Sequence, residues 1–468
     1  MPFGLISYRP VSLPDLEDGG FCDPFIVPTP LGTLTGMIGD GDGLLTMADN
    51  GLATFNGAPM TIHDTGNATY GFLAGGGGSI FVGSASRDVV FFTAGTESFM
   101  GWRGSALTDL SYHVAYAETP GFTAFANPFI GDDAVDDRFV GDWFGNDMEG
   151  GGGHDHIYGS LGDDTVRGGT GDDTLFGNGG RDLVIGDDGN DHVLGGAGSD
   201  TVSGSAGNDR LDGYSGNDWL RGGADDDTLI GGPGNDRLDG DSGVDIALFV
   251  RQASAAHVDL AAGTATGGGG TDTLIDIENV FGSAWNDTIH GDDAPNRLNG
   301  SGGDDSILGG GGPDTLLGSD GDDRLYGEAG GNDILVGGVG DDFLAGGPGH
   351  DRMIGGPGAD QFVFLGNEDL VAGAHNVDKI ADFNVAEGDL INLFFVDGNV
   401  HVGGNQSLRF TGETFGGANG DVRVTEEIER SGAALTRVSI DYNGDKISDA
   451  DILLVAPSGV IDADAFVF

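Results

Sequence analysis

The feature that most constrains this chain is a nine-residue repeat that runs without insertion through residues 150–248. All eleven units open with Gly, carry Asp at the sixth position and place an aliphatic residue at the eighth, from Ile157 to Ala247. Gly also fills the fourth position in every unit except one, where Asp225 stands. A period kept this strictly indicates a repeat architecture in which neighbouring units stack. The sixth-position residues of this first array are Asp155, Asp164, Asp173, Asp182, Asp191, Asp200, Asp209, Asp218, Asp227, Asp236 and Asp245.

A second array spans residues 282–363. It begins imperfectly, because Trp285 and Ala294 replace the fourth-position Gly and Asn296 replaces a sixth-position Asp. From Gly300 the pattern is regular, apart from one unit that is longer by a single residue. The sixth-position aspartates of this array are Asp287, Asp305, Asp314, Asp323, Asp333, Asp342, Asp351 and Asp360.

The residue types of the repeat point to a calcium-binding coil. Glycines at positions one and four allow a tight turn with positive φ and leave backbone carbonyls free to face an ion. The sixth-position Asp supplies a charged hard oxygen, the ligand that Ca²⁺ prefers. The aliphatic residue sits in a short strand and points inward. Two units complete one coil, so we expect Asp155 to lie above Asp173, with calcium bound between the stacked loops.

The composition agrees with a cation as the partner of this chain. Its 76 acidic residues face only 19 Lys and Arg, which gives a formal net charge of -57. Such a surface repels nucleic-acid phosphates and anionic lipids, which disfavours nucleic-acid and membrane-surface roles. No apolar run is long enough to form a transmembrane helix, and the single Cys22 excludes an internal disulfide framework.

Calcium is expected to be part of the fold itself. Stacked carboxylates repel one another, and one aliphatic side chain per unit does not offset the entropy of ordering the chain. The alternative to a folded calcium-binding coil is a disordered, acidic, Gly-rich linker. Such a linker requires neither the invariant Asp nor the aliphatic eighth residue, so the repeat favours the coil.

The sequence divides into five predicted segments, all β-structured. They are an N-terminal β-rich domain of unknown function (1–140), the first array (141–248), a connecting coil without calcium (249–281), the second array (282–363) and a C-terminal β-domain (364–468).

Several boundaries and strands are predicted within these segments. Residues 132–149 are interpreted as a degenerate entry into the repeats, with Gly145-Asn146-Asp147 out of phase. In the connecting coil, 249–251 and 257–260 are predicted strands and 267–270 a loop, within one continuous stack. In the N-terminal region, 88–92 and 111–116 are predicted strands.

The two arrays resemble the RTX proteins, which are calcium-dependent parallel β-rolls exported by bacterial type I secretion. This likeness covers residues 140–363. The C-terminal segment resembles the C-terminal domain of serralysin-type proteases, through Ala359-Asp360-Gln361-Phe362-Val363-Phe364, Asp378-Lys379-Ile380-Ala381-Asp382-Phe383 and Gly388-Asp389-Leu390-Ile391.

The resemblance implies secretion but not proteolysis. RTX proteins carry an uncleaved C-terminal export signal in which hydrophobic residues follow an acidic one, and Asp464-Ala465-Phe466-Val467-Phe468 fits that pattern. A type I exporter and an extracellular or cell-surface location are therefore expected. Serralysins have a His-Glu-x-x-His zinc motif, which this sequence lacks. The only histidines in the segment 1–130 are His63 and His113, too few for a three-histidine site.

Two further motifs are weighed as metal sites. Residues 441–451 alternate carboxylate and amide oxygens as an EF-hand loop does, but Lys446 stands where such a loop has Gly and Ile452 where it has Glu. An extra ion site and a polar turn before a strand at 452–455 both remain open. His154 and His156 occupy variable positions of a repeat, which favours solvent exposure over metal binding.

The sequence therefore predicts a secreted calcium-binding protein that folds on binding extracellular calcium. A role as a surface or matrix component is favoured over an enzymatic one. The alternative is a secreted hydrolase or lyase with an unrecognised catalytic unit in residues 1–140. That segment contains no recognisable nucleophile or metal motif.

Overall fold

The structure, a computed structural model, is all-β with about 2% helix. It describes strands between residues 53 and 114 and then residues 129–131, 136–141, 145–370, 377–397, 408–414, 416–428, 434–455 and 457–468. The two short 3-10 helices in these ranges are Asn367–Asp369 and Ala463–Ala465. The rest of the predicted N-terminal domain, including residues 1–50 and the ends of the predicted strand 111–116, lies outside the described residues.

An antiparallel sheet is formed by residues of the N-terminal region. Its six strands are hydrogen-bonded in chain order, each antiparallel to the next. The strands are Ala53–Phe55, Ala58–Asp64, Thr69–Leu73, Gly78–Ser84, Val89–Ala94 and Glu97–Met100. The predicted strand at 88–92 is thus found. His113–Val114, within the predicted strand 111–116, pairs in parallel with Arg138–Val140.

The repeats form a parallel β-solenoid of about 12 turns. Each unit contributes one loop and one short strand, and successive strands alternate between two parallel sheets. Each strand pairs with the strand two units further along the chain, for example through Ile157 with Leu175 and Val166 with Val184. The predicted two-unit coil is confirmed.

The strands of the first array are assigned here to a first and a second sheet. The first sheet contains Phe129–Ile130, Asp147–Gly152, Thr165–Thr170, Leu183–Asp188, Thr201–Ala206, Trp219–Ala224 and Arg237–Ser242. The second sheet contains His156–Ser160, Thr174–Gly179, His192–Ala197, Arg210–Ser215, Thr228–Ile230 and Ile246–Leu248.

The core is the narrow space between the two sheets. Eighth-position side chains such as Leu175, Val202 and Leu229 point into it and are 0% exposed. Each such aliphatic side chain contributes roughly 1.5–3 kcal/mol on burial.

The entry segment follows the phase of the repeat. Met148 takes the place of an eighth-position aliphatic residue and is 1% exposed. Asn146 takes the place of a sixth-position Asp, and its backbone N–H donates to Oδ1 of Asp164 at 2.6 Å. The prediction that residues 145–147 are out of phase was therefore wrong.

The connecting segment keeps the stack continuous, as predicted. Leu274 pairs with Leu238 in the first sheet, and Val280 pairs with Ala247 in the second. The predicted strand at 249–251 was wrong, because Phe249 is buried and its carbonyl accepts the N–H of Gln252 to close a turn.

The connecting strands also enlarge one sheet. They are His257–Asp259, Thr264–Gly267, Gly270–Ile275 and Asn279–Phe281. The first three insert in antiparallel order between Arg237–Ser242 and the next strand of the first sheet, and residues 267–270 form the hairpin turn. The second sheet gains only Asn279–Phe281, so the two sheets differ by two strands here.

The second array and the C-terminal segment extend both sheets. The first sheet continues with Thr288–His290, Ser306–Gly311, Arg324–Ala329, Phe343–Ala345, Gln361–Val363, Leu390–Asn392 and Phe466–Val467. The second sheet continues with Arg297–Gly302, Thr315–Asp320, Ile334–Val339, Arg352–Ile354, Asp378–Ile380, Ala450–Val455, Ala434–Asp441, Asp421–Ile428 and Arg409–Gly412. Non-repeat strands therefore pair with the last repeat strand of each sheet.

Candidate calcium sites

The sixth-position aspartates form a hydrogen-bond ladder along each row of loops. In the regular coils, the Oδ1 atom of each Asp accepts the backbone N–H of the sixth-position residue one coil earlier. These N–H to Oδ1 distances are 2.7 Å from Asp155 to Asp173, 2.8 Å from Asp182 to Asp200 and 2.7 Å from Asp305 to Asp323. One oxygen of each carboxylate is thereby fixed in place, and the predicted stacking of Asp155 on Asp173 is confirmed.

The second carboxylate oxygen has no such partner. Along the described repeats, seventeen of these aspartates bury Oδ2 without a hydrogen-bond donor. An unpaired anionic oxygen in a buried site is costly, so its presence at a repeated position indicates a cation ligand. The seventeen are Asp155, Asp173, Asp182, Asp191, Asp200, Asp209, Asp218, Asp227, Asp236, Asp245, Asp305, Asp314, Asp323, Asp333, Asp342, Asp351 and Asp360. Asp164 holds the same position and is 2% exposed.

The first-position glycines leave space for these oxygens. An ideal Cβ on Gly213 would lie 2.6 Å from Oδ2 of Asp218 and 2.7 Å from the carbonyl oxygen of Gly231, one coil further on. A carboxylate and a backbone carbonyl thus converge over the bare Cα. Any side chain there would occupy the place of the ligands.

Positive φ occurs at positions two and four, so assigning it to position one was wrong. In every unit of the first array the second residue has positive φ, even where it is Ser205 (94°) or Tyr214 (66°). The fourth residue has it in nine of the eleven units, including Gly216 (149°). Position one requires Gly for space rather than for its backbone angles.

Burial and like charges raise the pKa of the ladder carboxyls. Desolvation, followed by the charges of neighbouring coils, raises the pKa of Asp209, Asp218 and Asp305 to about 8. The same causes raise the pKa of Asp173 and Asp342 to about 7. Without a cation, the coil does not hold all these carboxylates ionised at neutral pH.

The donor set fits calcium. Among the described residues, no three His, Cys, Asp or Glu side chains converge on one point. The available donors are instead carboxylate and carbonyl oxygens of adjacent coils. Oxygen-only coordination is typical of Ca²⁺, whereas Zn²⁺ sites are built mainly from nitrogen and sulfur. The Oδ2 atoms and the carbonyls over the first-position glycines are the groups that would hold the ion.

Two residues at the start of the second array depart from the pattern. Asp287 accepts the N–H of Ala256 and the hydroxyl of Ser283 at Oδ1, and the N–H of Ser283 at Oδ2. Asn296 is neutral, and its Oδ1 accepts the N–H of Asp292. Asp287, a predicted ligand, therefore has donors on both oxygens, unlike the regular aspartates.

Sequence reasoning missed three aspartates that continue the ladder outside the repeats. Asp272, Asp378 and Asp389 accept the N–H groups of array aspartates that end a row of loops, at 2.9, 2.9 and 3.1 Å. Each is buried and is followed two residues later by an aliphatic side chain in a strand. This Asp-x-aliphatic spacing matches positions six to eight of the repeat. It is the sequence signal from which these three aspartates could have been predicted.

The loop at 441–451 satisfies its carboxylates internally. Asp441 accepts the N–H groups of Gly444 and Lys446, and Asp449 accepts that of Tyr442. The loop precedes the strand Ala450–Val455. These bonds favour the polar turn over an extra ion site.

The two histidines beside the first loop are exposed, as expected. The side chain of His154 is 61% exposed, and its Nδ1 accepts the N–H of Asp172. His156 is likewise exposed.

Comparison with known families agrees with this geometry. The family model described as the RTX calcium-binding nonapeptide repeat (4 copies) matches residues 140–175, 149–184, 176–211, 185–220, 212–247, 281–316, 308–330 and 329–362. The matches exclude residues 248–280 and the C-terminal segment. No curated protein matches the chain. Within the described ranges, no helix has the length and apolar character to cross a membrane.

Proposed function

Because residues 140–247 and 281–362 are RTX repeats, which bind several calcium ions, we propose that this chain is a secreted protein that folds on binding extracellular calcium. The observation that carries the proposal is the ladder of buried Oδ2 atoms without donors. Calcium would bridge consecutive coils by binding carboxylate and carbonyl oxygens of both. Its two positive charges would remove the repulsion that opposes stacking in the metal-free chain.

The concentration of calcium would then decide where the arrays fold. Extracellular calcium modules bind with Kd of about 10⁻⁴–10⁻³ M. Submicromolar cytosolic calcium would leave such sites empty, and metal binding in small coils of this kind is coupled to folding. The arrays would fold only outside the cell.

Circular dichroism of the full chain tests this proposal. Calcium chloride titrated into metal-free protein should produce a large gain in β-signal, and excess EGTA should reverse it. Magnesium chloride at the same concentration is the control, because Mg²⁺ demands a smaller octahedral site and dehydrates reluctantly. Equal β-signal with and without calcium would overturn the proposal.

Export would use the C-terminal end and a type I exporter. The support is the acidic residue followed by hydrophobic residues at 464–468, and the resemblance of the preceding segment to serralysin C-terminal domains. A chain lacking residues 457–468 should remain inside cells that carry a type I exporter, while the full chain reaches the medium. Secretion of both chains at the same level would contradict this assignment.

The bounds of the five segments predicted from the sequence are retained in this proposal, with residues 1–140 as a non-enzymatic domain of a surface or matrix component. The support is the absence of a recognisable catalytic motif in that part of the sequence. The full chain, loaded with calcium, should show no hydrolysis or elimination on panels of polysaccharides, lipids and proteins. Turnover of any of these substrates would replace the proposal with the enzymatic alternative.

A further inference from the structure

The connecting segment was expected to be free of calcium, yet it rebuilds one half of a repeat loop. The backbone N–H of Asp227 donates to Oδ1 of Asp245 at 2.8 Å, as in the regular ladder. The N–H of Asp245 in turn donates to a carboxylate oxygen of Glu278 at 2.7 Å. Glu278 therefore takes the place that a sixth-position Asp would have in the next coil.

The backbone around Glu278 keeps the register of the repeat. The N–H of Asn279 donates to the carbonyl of Asp245 at 2.9 Å, as the N–H of Ile246 does to Asp227 one coil earlier. Ala247 and Val280 pair across the same step. Asp227 and Asp245 are 18 residues apart in the sequence, whereas Asp245 and Glu278 are 33 residues apart. The carboxylate of Glu278 nevertheless continues the same row of loops.

The oxygen cradle is also reproduced. Oδ2 of Asp245 is buried without a donor, and it lies 2.5 Å from an ideal Cβ on Gly240. The carbonyl oxygen of Asp276 lies over the same Cα, where regular coils place the carbonyl of the next first-position Gly. Asp276 has φ of 47°, in the left-handed region.

We infer that a calcium ion binds between the last loop of the first array and the connecting segment. Its ligands are Oδ2 of Asp245, the carbonyl of Asp276 and the carboxylate of Glu278. This inference rests on the calcium binding proposed for the repeats, but it adds a site outside them. It also extends the metal-bound stack of the first array into the connecting coil.

Anomalous scattering locates the ion directly. Crystals of the full chain grown in calcium chloride should show an anomalous peak about 2.3–2.6 Å from the Asp245, Asp276 and Glu278 oxygens. Peaks within the arrays but none at this position would overturn the inference and leave the proposed function intact. An absence of peaks everywhere would instead overturn the proposed function.

Glu278→Gln distinguishes a ligand from a structural acceptor. Gln keeps an oxygen for the N–H of Asp245 and removes only the charge. We expect the variant to bind one calcium ion fewer than the wild type by equilibrium dialysis, with an unchanged β-signal at saturating calcium. The control is Asp259→Asn, because Asp259 lies in the same segment and caps only the N–H of Ala262. Equal stoichiometry of the Glu278→Gln variant and this control would contradict the inference.

Discussion

At the scale of single residues, the repeat assigns a different physical task to each glycine. The first Gly is required because a carboxylate and a carbonyl converge over its Cα, as at Gly213. The fourth Gly is required mainly because the loop takes positive φ there. Position two also has positive φ but is occupied by Ser, Asn, Asp and Tyr as well as Gly. Its backbone conformation therefore cannot be recognised from an invariant residue in the sequence.

Replacement of a first-position Gly should weaken calcium binding at the adjacent site. In Gly213→Ala, the new methyl group would overlap the Asp218 and Gly231 oxygens. Overpacking of this kind costs about 1–3 kcal/mol, which corresponds to a roughly tenfold to hundredfold loss of affinity. Isothermal titration calorimetry with calcium chloride measures the effect.

Gly179→Ala is the matched control for this prediction. Gly179 lies in the third position, and the nearest atom to its ideal Cβ is Cδ2 of Leu161 at 3.5 Å. Its calcium isotherm should equal that of the wild type. Equal isotherms for Gly213→Ala and Gly179→Ala would show that the first Gly is not needed for space.

Asp225 should be a strained substitute for the fourth-position Gly. Its φ is 76°, in a region that costs L-residues roughly 1–2 kcal/mol, although Asp tolerates it better than most. Asp225→Gly should therefore raise the free energy of unfolding in saturating calcium by about 0.5–1 kcal/mol, and Asp225→Ala should lower it. Asp225→Asn removes the charge but keeps a residue that tolerates positive φ. A gain for Asn equal to that for Gly would assign the effect to charge instead.

At the scale of the structural element, the repeated unit is half of a coil, and its Asp serves two functions. Oδ1 joins adjacent coils through a backbone hydrogen bond, and Oδ2 faces the site of the ion. The same side chain therefore sets the register of the stack and gives it charge. In the proposed function, that charge opposes the metal-free stack and attracts the calcium that would stabilise it.

The ladder makes folding and calcium binding depend on pH in opposite directions. The folded pKa values of about 6 to 8 lie above the ordinary value of 3.8, with Asp182 and Asp209 at the two limits. Stability of the metal-free coil is thus fully present below about pH 4 and is lost as pH rises through 6 to 8. In calcium-free buffer, the β-signal should increase as pH falls from 8 to 5.

Calcium must displace the protons held by the same carboxyls. Its midpoint concentration should therefore rise as pH falls from 8 to 6, and addition of calcium at pH 7 should release protons, measured in a pH-stat. Asp259→Asn again serves as the control, because its carboxylate lies outside the ladder. Calcium binding without proton release would contradict the raised pKa values.

At the scale of the whole stack, non-repeat strands cover the end that the last repeat would expose. Leu390–Asn392 pairs with Gln361–Val363, and Phe466–Val467 then pairs with Leu390–Asn392. Phe383 packs against Phe362 with ring centroids 5.9 Å apart. An open edge of a solenoid invites further strand pairing, so these strands act as the terminal unit that repeat proteins require.

Removal of this terminal segment should make folding require more calcium. Deletion of 364–468 exposes Phe362 and Val363, which are 0% exposed, and should raise the calcium midpoint several-fold by circular dichroism. Deletion of 457–468 removes Phe466–Val467, its stacking on Phe410 with centroids 5.6 Å apart, and the backbone bonds of Ser458. It leaves the other non-repeat strands in place, so it should raise the midpoint less. An unchanged midpoint in the long deletion would show that the segment does not stabilise the stack.

The sequence by itself determined the coil, its core and the rows of sixth-position carboxylates. A period of nine with Gly, Asp and an aliphatic residue at set positions specifies the loop, the short strand and the two-unit stacking step. Each of these depends on residues close together in the chain. The pairs of Leu175 with Val193 and of Asp173 with Asp191 follow from that step alone.

Only the tertiary structure decided how the stack continues where the period fails. Asp272, Glu278 and Asp378 join the ladder across 36, 33 and 27 residues, distances that no local pattern encodes. The same holds for Asp287, whose carboxylate is occupied by a neighbouring Ser283 that the repeat pattern treats as a variable residue. In these places the position of a side chain depends on which strand pairs next with the edge of the sheet. Backbone pairing between strands, rather than the spacing of residues in the sequence, sets the register there.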